Sequence, residues 1–244
     1  VDDAYRMQGL VRLEAPRRST RETGKQDARP QMSAPILVMG ATSGIGAAVV
    51  DAGVARGLPV RAFARSAEDL APRELVEPFA GDALSENDVA SALSGTRAVI
   101  YALGIKESVS MLWEEVTLFS RTTEVLIEAM KASQTKRLLA VTGFGAGRSK
   151  SAMSRVERLG HRALLGKPYA DKDRQEALIM ESGLDWTIVR PVILTNGSGP
   201  QRPQVLREPS TWRNGLVSRG AVAQYLVDAV EGDLDLRADV VLAR

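Results

Sequence analysis

The stretch Pro35–Val50, P-I-L-V-M-G-A-T-S-G-I-G-A-A-V-V, constrains this chain more than any other. An apolar run, Ile36-Leu37-Val38-Met39, halts at Gly40, and Gly44 and Gly46 follow. Ile45, Ala48, Val49, Ala52 and Ala55 then recur at helical spacing. A short run with no polar alternation suits a parallel strand covered on both faces. The reading is strand, tight glycine turn, amphipathic helix. Such a turn has a physical use. Glycines let the main chain approach a pyrophosphate, and the start of the next helix offers unpaired N–H groups and partial positive charge. Thr42 and Ser43 add hydroxyl donors at the same place. A turn without a ligand is the plainer alternative, and the strand before and the helix after weigh against it.

The spacing is Gly-x-x-x-Gly-x-Gly, not the G-x-G-x-x-G of long dehydrogenases. G-A-T-S-G-I-G resembles the fingerprint of the short-chain dehydrogenase/reductase superfamily. That resemblance implies a Rossmann-type doubly wound parallel sheet in a single α/β domain. It also implies a nicotinamide dinucleotide held by Gly40, Thr42, Ser43, Gly44, Ile45 and Gly46.

Composition sets limits. The 244 residues suffice for one α/β domain with a well-buried core. Net charge is +2, which gives no electrostatic case for nucleic acid or membrane. There is no cysteine, so disulfides, thiolate zinc sites and a cysteine nucleophile are excluded. His161 is the single histidine, so a histidine metal cluster is excluded too, and it reads as a surface residue rather than a proton donor. No apolar run is long enough to span a bilayer and no signal peptide is visible, so the expected location is cytoplasmic.

Val1–Gln31 is polar and arginine-rich, with seven basic residues interspersed among five acidic ones. A nucleic-acid arm and a disordered extension both fit such a stretch, and the interspersed acids favour the extension. The dinucleotide-binding domain is expected over residues 32–244, starting at Met32. After the first helix, Gly57 serves as helix stop and Pro59 blocks continuation. Val60–Ala64 alternates as a second strand and leads into Arg65. At this strand end an acid would bind the 2′-hydroxyl of NAD, whereas an arginine suits the 2′-phosphate of NADP. No acid occurs until Glu68, so NADP(H) is expected in preference to NAD(H). A solvated arginine is the alternative.

Glu77–Asp82 reads as a third strand. The resemblance sets Asp82, with Ala83, beside the adenine, although a turn carboxylate explains Asp82 equally well. Ala98–Ala102 is a fourth strand, after which Ala102, Leu103 and Gly104 would pass under the adenine ribose. Leu112–Ala132 reads as a long helix, with Trp113 near its start taken as packing. Lys136–Thr142 is a fifth strand ending in the glycine-rich Thr142–Gly147. Ligands of open α/β sheets sit at the carboxyl ends of strands. The superfamily keeps a hydroxyl there for the substrate carbonyl, and Thr142 matches that position.

Two helices are expected next, Ala152–Leu165 and Tyr169–Ser182, broken at Gly166-Lys167-Pro168. The passage E-S-G-L-D-W-T-I-V-R-P, ending at Pro191, resembles the atypical branch of the superfamily, NAD(P)H-binding proteins akin to NmrA and biliverdin reductase B. There the strand leads past the nicotinamide, so Pro191, Val192 and Ile193 should line that end of the cleft, while Arg190 is structural. Thr195–Pro209 reads as a loop, Ser218 as the cap of a last helix, and Ala238–Leu242 as a final strand.

Hydride transfer to a carbonyl needs a proton donor. The superfamily's Tyr-x-x-x-Lys is one residue short here, as Tyr169-Ala170-Asp171-Lys172. Lys172 with Glu176 matches the lysine and following glutamate, which puts Pro168 where tyrosine is expected. Tyr169 is a candidate acid, and Lys172 is a candidate catalytic residue and ribose ligand. The expectation is an NADP(H)-dependent reductase of a small acceptor (quinone, flavin or carbonyl), monomer or homodimer. A binding protein that senses the cofactor without turnover is the alternative.

Overall fold

The computed structural model describes residues 34–104, 117–197 and 202–244, apart from the side chains of 160–165. The Val1–Gln31 extension, the start at Met32, Trp113 and the side chain of His161 therefore lie outside the described residues.

A parallel sheet is built from β1 (Ile36–Met39), β2 (Val60–Ala64), β3 (Val76–Ala80), β4 (Ala98–Tyr101), β5 (Arg137–Val141) and β6 (Asp185–Pro191). The short strands β7 (Ile193–Thr195), β8 (Gln204–Leu206) and β9 (Leu216–Ser218) precede β10 (Ala238–Ala243). The main sheet has the order β3-β2-β1-β4-β5-β6-β10-β8 and is parallel except for β8, which runs antiparallel to β10. Strands β7 and β9 pair separately. The order reverses beside β1, which is the switch point where such sheets bind ligands.

Helices α1 (Gly44–Ala55) and α5 (Arg219–Glu231) cover one face, and α2 (Glu86–Leu93), α3 (Leu118–Ala132) and α4 (Arg155–Glu181) the other. The unbroken apolar run of β1 follows from this. Ile36 and Val38 join the apolar layer with Val49, Leu226 and Val230, while Leu37 and Met39 join Leu126 and Met130 on the opposite face. The first helix stops as its sequence asks. Gly57 adopts φ +72°, its N–H bonds Val54 O, and Leu58 N bonds Gly53 O. That pair of bonds satisfies the last carbonyls of the helix. Ser218 caps α5 by accepting the Ala221 N–H.

Two expectations are corrected. Pro168 does not separate two helices. It lies inside α4, which runs unbroken for 27 residues. Proline removes one main-chain hydrogen bond, but each half of the helix is anchored by other contacts. A reciprocal capping box of Ser154 and Glu157 fixes the start. Beyond Pro168, the buried Asp171, Gln175 and Glu176 bind neighbouring elements. The second correction concerns Thr195–Pro209, which is not loop throughout, because Gln204–Leu206 pairs with β10 as the outermost strand. Three residues carry too little pattern to read as a strand, and tertiary pairing decides them. The described part of α3 begins at Leu118.

At the opposite border of the sheet, β3 pairs only with β2 and carries Glu77 and Pro78. Proline has no N–H to give a ladder and is tolerated at such an edge.

Candidate nucleotide-binding site

The carboxyl ends of β1, β4, β5 and β6 share one border of the sheet, and nearly all residues singled out from sequence meet there. Gly40 opens the loop after β1 at φ +84°, and its N–H bonds Phe63 O of β2 at 2.9 Å. A side chain is impossible at two points. A Cβ on Gly40 would stand 2.7 Å from the Ala102 carbonyl oxygen, and a Cβ on Gly46 only 2.1 Å from that of Gly40. Gly44, at φ +59°, starts α1. Ser43 makes no side-chain cap to that helix, and the first turn contains no acid. Its leading N–H groups and positive dipole end are thus left for an outside anion. Thr42 is half-buried, and Ser43 and Gly44 are exposed beside the buried Ile45 and Gly46. A cradle this bare fits a diphosphate.

Arg65 lies one residue past β2, exposed, with no acidic partner among the described residues. Asp82 forms a turn before α2. Its Oδ1 accepts the Leu84 N–H at 3.0 Å, and its own N–H bonds Asp88 Oδ2 at 2.8 Å. Ala83 is buried in the apolar layer, while Ala102 and Leu103 follow β4 against Gly40, with Gly104 next in the chain.

The second half of the site lies between β5 and α4. Thr142 is buried, and its hydroxyl donates to Glu176 Oε1 at 2.7 Å. A hydroxyl has one proton, so Thr142 has none left to give a substrate carbonyl. The position that faces Tyr169 is the next one. A Cβ on Gly143 would meet the Tyr169 hydroxyl at 2.7 Å. Tyr169 and Lys172 are three residues apart on α4 and share a face. Lys172 Nζ donates to the Thr142 carbonyl at 2.8 Å and sits 4.3 Å from the centre of the Phe119 ring. Burial pushes its pKa down to about 8, against the opposing pull of Glu176 and Asp171.

A buried ion network supports this arrangement. Arg190 is fully buried on β6 and bonds Glu176 through Nε at 3.0 Å and Nη2 at 2.7 Å. Its Nη1 bonds Asp239 Oδ2 at 2.5 Å, and Arg148 closes on the same carboxylate. Burial alone would raise the pKa of Asp239, but Arg148 and Arg190 hold it below the usual carboxylate value. The Trp212 ring lies 5.1 Å from the Arg190 guanidinium and 5.5 Å from that of Arg148. Asp171 caps α3 from α4, accepting the Phe119 N–H at 2.8 Å and the Ser120 hydroxyl at 2.5 Å.

The model of the NAD(P)H-binding family matches residues 40–233. The chain belongs to that family, in the atypical branch of the short-chain dehydrogenases/reductases. No protein of curated function matches it in sequence. Solved structures agree in fold. The anaerobilin reductase ChuY of Escherichia coli is 24% identical, with a TM-score of 0.70 over 86% of this chain and 96% of that one. A short-chain dehydrogenase/reductase of Veillonella parvula in complex with NADP gives 0.73 at 16% identity, over 86% and 94%. A Rossmann-fold NAD(P)-binding family protein of Shigella flexneri gives 0.68 at 20%, over 87% and 94%.

In this family member the glycine loop, Arg65, the β4 end, Thr142, Tyr169, Lys172 and Pro191 all come to one border. Pro191 is buried and its carbonyl accepts the Phe144 N–H, whereas Ile193 is 58% exposed and stands out from the sheet. Sequence reasoning missed Gly143 and the roles of Asp171 and Asp239. Only Glu176, four residues after Lys172, carried a visible signal.

Proposed function

We propose that the protein is an NADPH-dependent reductase of a small acceptor. The observation that carries this reading is the bare main-chain cradle of Gly40, Gly44 and Gly46 ahead of an uncapped helix start. When bound, a reduced nicotinamide supplies the hydride. The chain's own residues do the rest. The cradle and the first turn of α1 hold the diphosphate. Arg65 suits a 2′-phosphate, because a guanidinium pairs two phosphate oxygens at once. Asp82, Ala83, Ala102, Leu103 and Gly104 border the adenosine side, with Pro191 and Ile193 toward the nicotinamide.

Tyr169 is the candidate proton source, since its phenol reaches the β5 end over Gly143. Lys172, as a cation, steadies the developing charge and holds a ribose hydroxyl. Its role as a cation fades as pH rises through about 8. Reductase chemistry is also what the ChuY relative is named for. The acceptor class proposed is a quinone, flavin or carbonyl compound, with the protein active as a monomer or homodimer in the cytoplasm.

One observation favours the alternative of a cofactor-sensing protein without turnover. Thr142 spends its proton on Glu176 and position 143 has no side chain, so the chain leaving β5 supplies no hydroxyl donor of its own beside Tyr169. Stopped-flow oxidation of protein-bound NADPH against quinone, flavin and aldehyde panels decides between the two. Oxidation faster than the free cofactor supports the reductase, and none with any acceptor supports the sensor.

A further inference from the structure

A cavity of about 140 Å³ lies beyond the residues assigned above. Thr195 at the end of β7, Ser218 at the start of α5, Arg202, and Ala243 and Arg244 at the end of β10 line it, with Leu216 as an apolar wall. Its place in the fold gives it meaning. Strand β10 runs parallel to β6, so Ala243 sits at the same border of the sheet as Thr142 and Pro191. In the strand order, Arg65 after β2 marks one side of that border, and β10 lies past β6 on the other. A dinucleotide running from Arg65 across β1 and β4 to the β5–β6 ends points its reactive end toward this cavity.

Its chemistry is one-sided. No acidic side chain lines it. Arg202 and Arg244 have no acidic partner among the described residues, whereas Arg56, Arg137, Arg148, Arg190 and Arg207 each face one. Ser218 Oγ accepts the Ala221 N–H, which leaves its own proton to donate. Two arginines without an acidic partner and a hydroxyl donor lining one cavity beside an apolar wall are the elements of an anion site.

We propose that this cavity binds an anionic group, a phosphate or carboxylate, of the acceptor molecule. The acceptor is then an amphiphile: an apolar reducible part at the β5–β6 ends and a charged appendage held by Arg202 and Arg244. The assignment rests on the reductase reading and adds the acceptor's charge to it.

FMN and riboflavin test it, because they share the reducible ring and differ by one phosphate. Binding is followed by flavin fluorescence quenching on the full chain saturated with NADP+. FMN is expected to bind at least about tenfold more tightly than riboflavin. Arg202→Ala and Arg244→Ala should each bring FMN to within about twofold of riboflavin, with riboflavin and NADP+ affinities unchanged. Equal affinity for the two flavins, or binding of neither, overturns the proposal. Losses that fall on NADP+ instead overturn it as well, since the arginines then serve the cofactor's own phosphates. Melting curves keep the two readings apart. If NADP+ does not raise the melting temperature, the cofactor reading fails, and the flavin pair measured without it still decides this site.

Discussion

The two halves of the site are made by opposite means. The glycine loop between β1 and α1 works through absence: no side chain on three glycines, no cap on the helix, no acid in its first turn. The β5–α4 half works through presence. Thr142, Lys172, Glu176, Arg190 and Asp239 form one continuous set of buried or half-buried polar contacts. The first kind of site is written in consecutive residues. The second exists only once strands far apart in sequence have been brought together.

The contrast can be broken at several points. The largest effect is expected from Glu176→Ala, which strips the buried Arg190 of its bidentate partner and Thr142 of its acceptor. Removing one member of a buried pair costs about 3–5 kcal/mol. Urea unfolding should show a loss of that size, and a loss below about 1 kcal/mol would mean the network is not a source of rigidity. Next comes Gly46→Ala, which drives a methyl into the Gly40 carbonyl. NADPH affinity should fall roughly a hundredfold by titration calorimetry. An unchanged affinity would remove the cradle from the argument.

Lys172→Met sharpens the comparison through pH. Below about 8 the folded protein must hold a buried ammonium. Between that value and 10.5, the ordinary lysine value, the unfolded chain binds a proton that the folded chain does not. Wild-type stability should therefore rise with pH across this window relative to the variant, by an amount on the order of 2 kcal/mol. Parallel stability curves for the two proteins would refute the buried ammonium. The smallest effect belongs to Arg65→Ala. NADPH should weaken about tenfold and NADH hardly at all, and equal losses would end the 2′-phosphate argument.

How far the sequence could be read follows the same division. The alternation of strands and helices was legible because Ile36–Met39, Val99–Tyr101 and Leu138–Val141 are compact apolar runs followed by turns. The glycine loop was legible because its function needs neighbours in sequence. Pro168 misled, because a proline usually ends a helix, whereas here tertiary contacts on both sides carry α4 through it. Thr142 was picked for its place at a strand end, and nothing local could reveal that its proton is taken by a glutamate 34 residues later. Gly143 was visible only as one member of a glycine-rich strand end, since its meaning lies in the phenol it makes room for.

The proline in β3 has a consequence for how copies of this domain meet. Hydrogen-bonded growth of one sheet into the next needs an outer strand with a full row of amide donors, and charge in that row discourages it further. With Pro78 and Glu77 on one margin and a three-residue strand on the other, end-to-end fusion of sheets into a polymer is disfavoured at both margins.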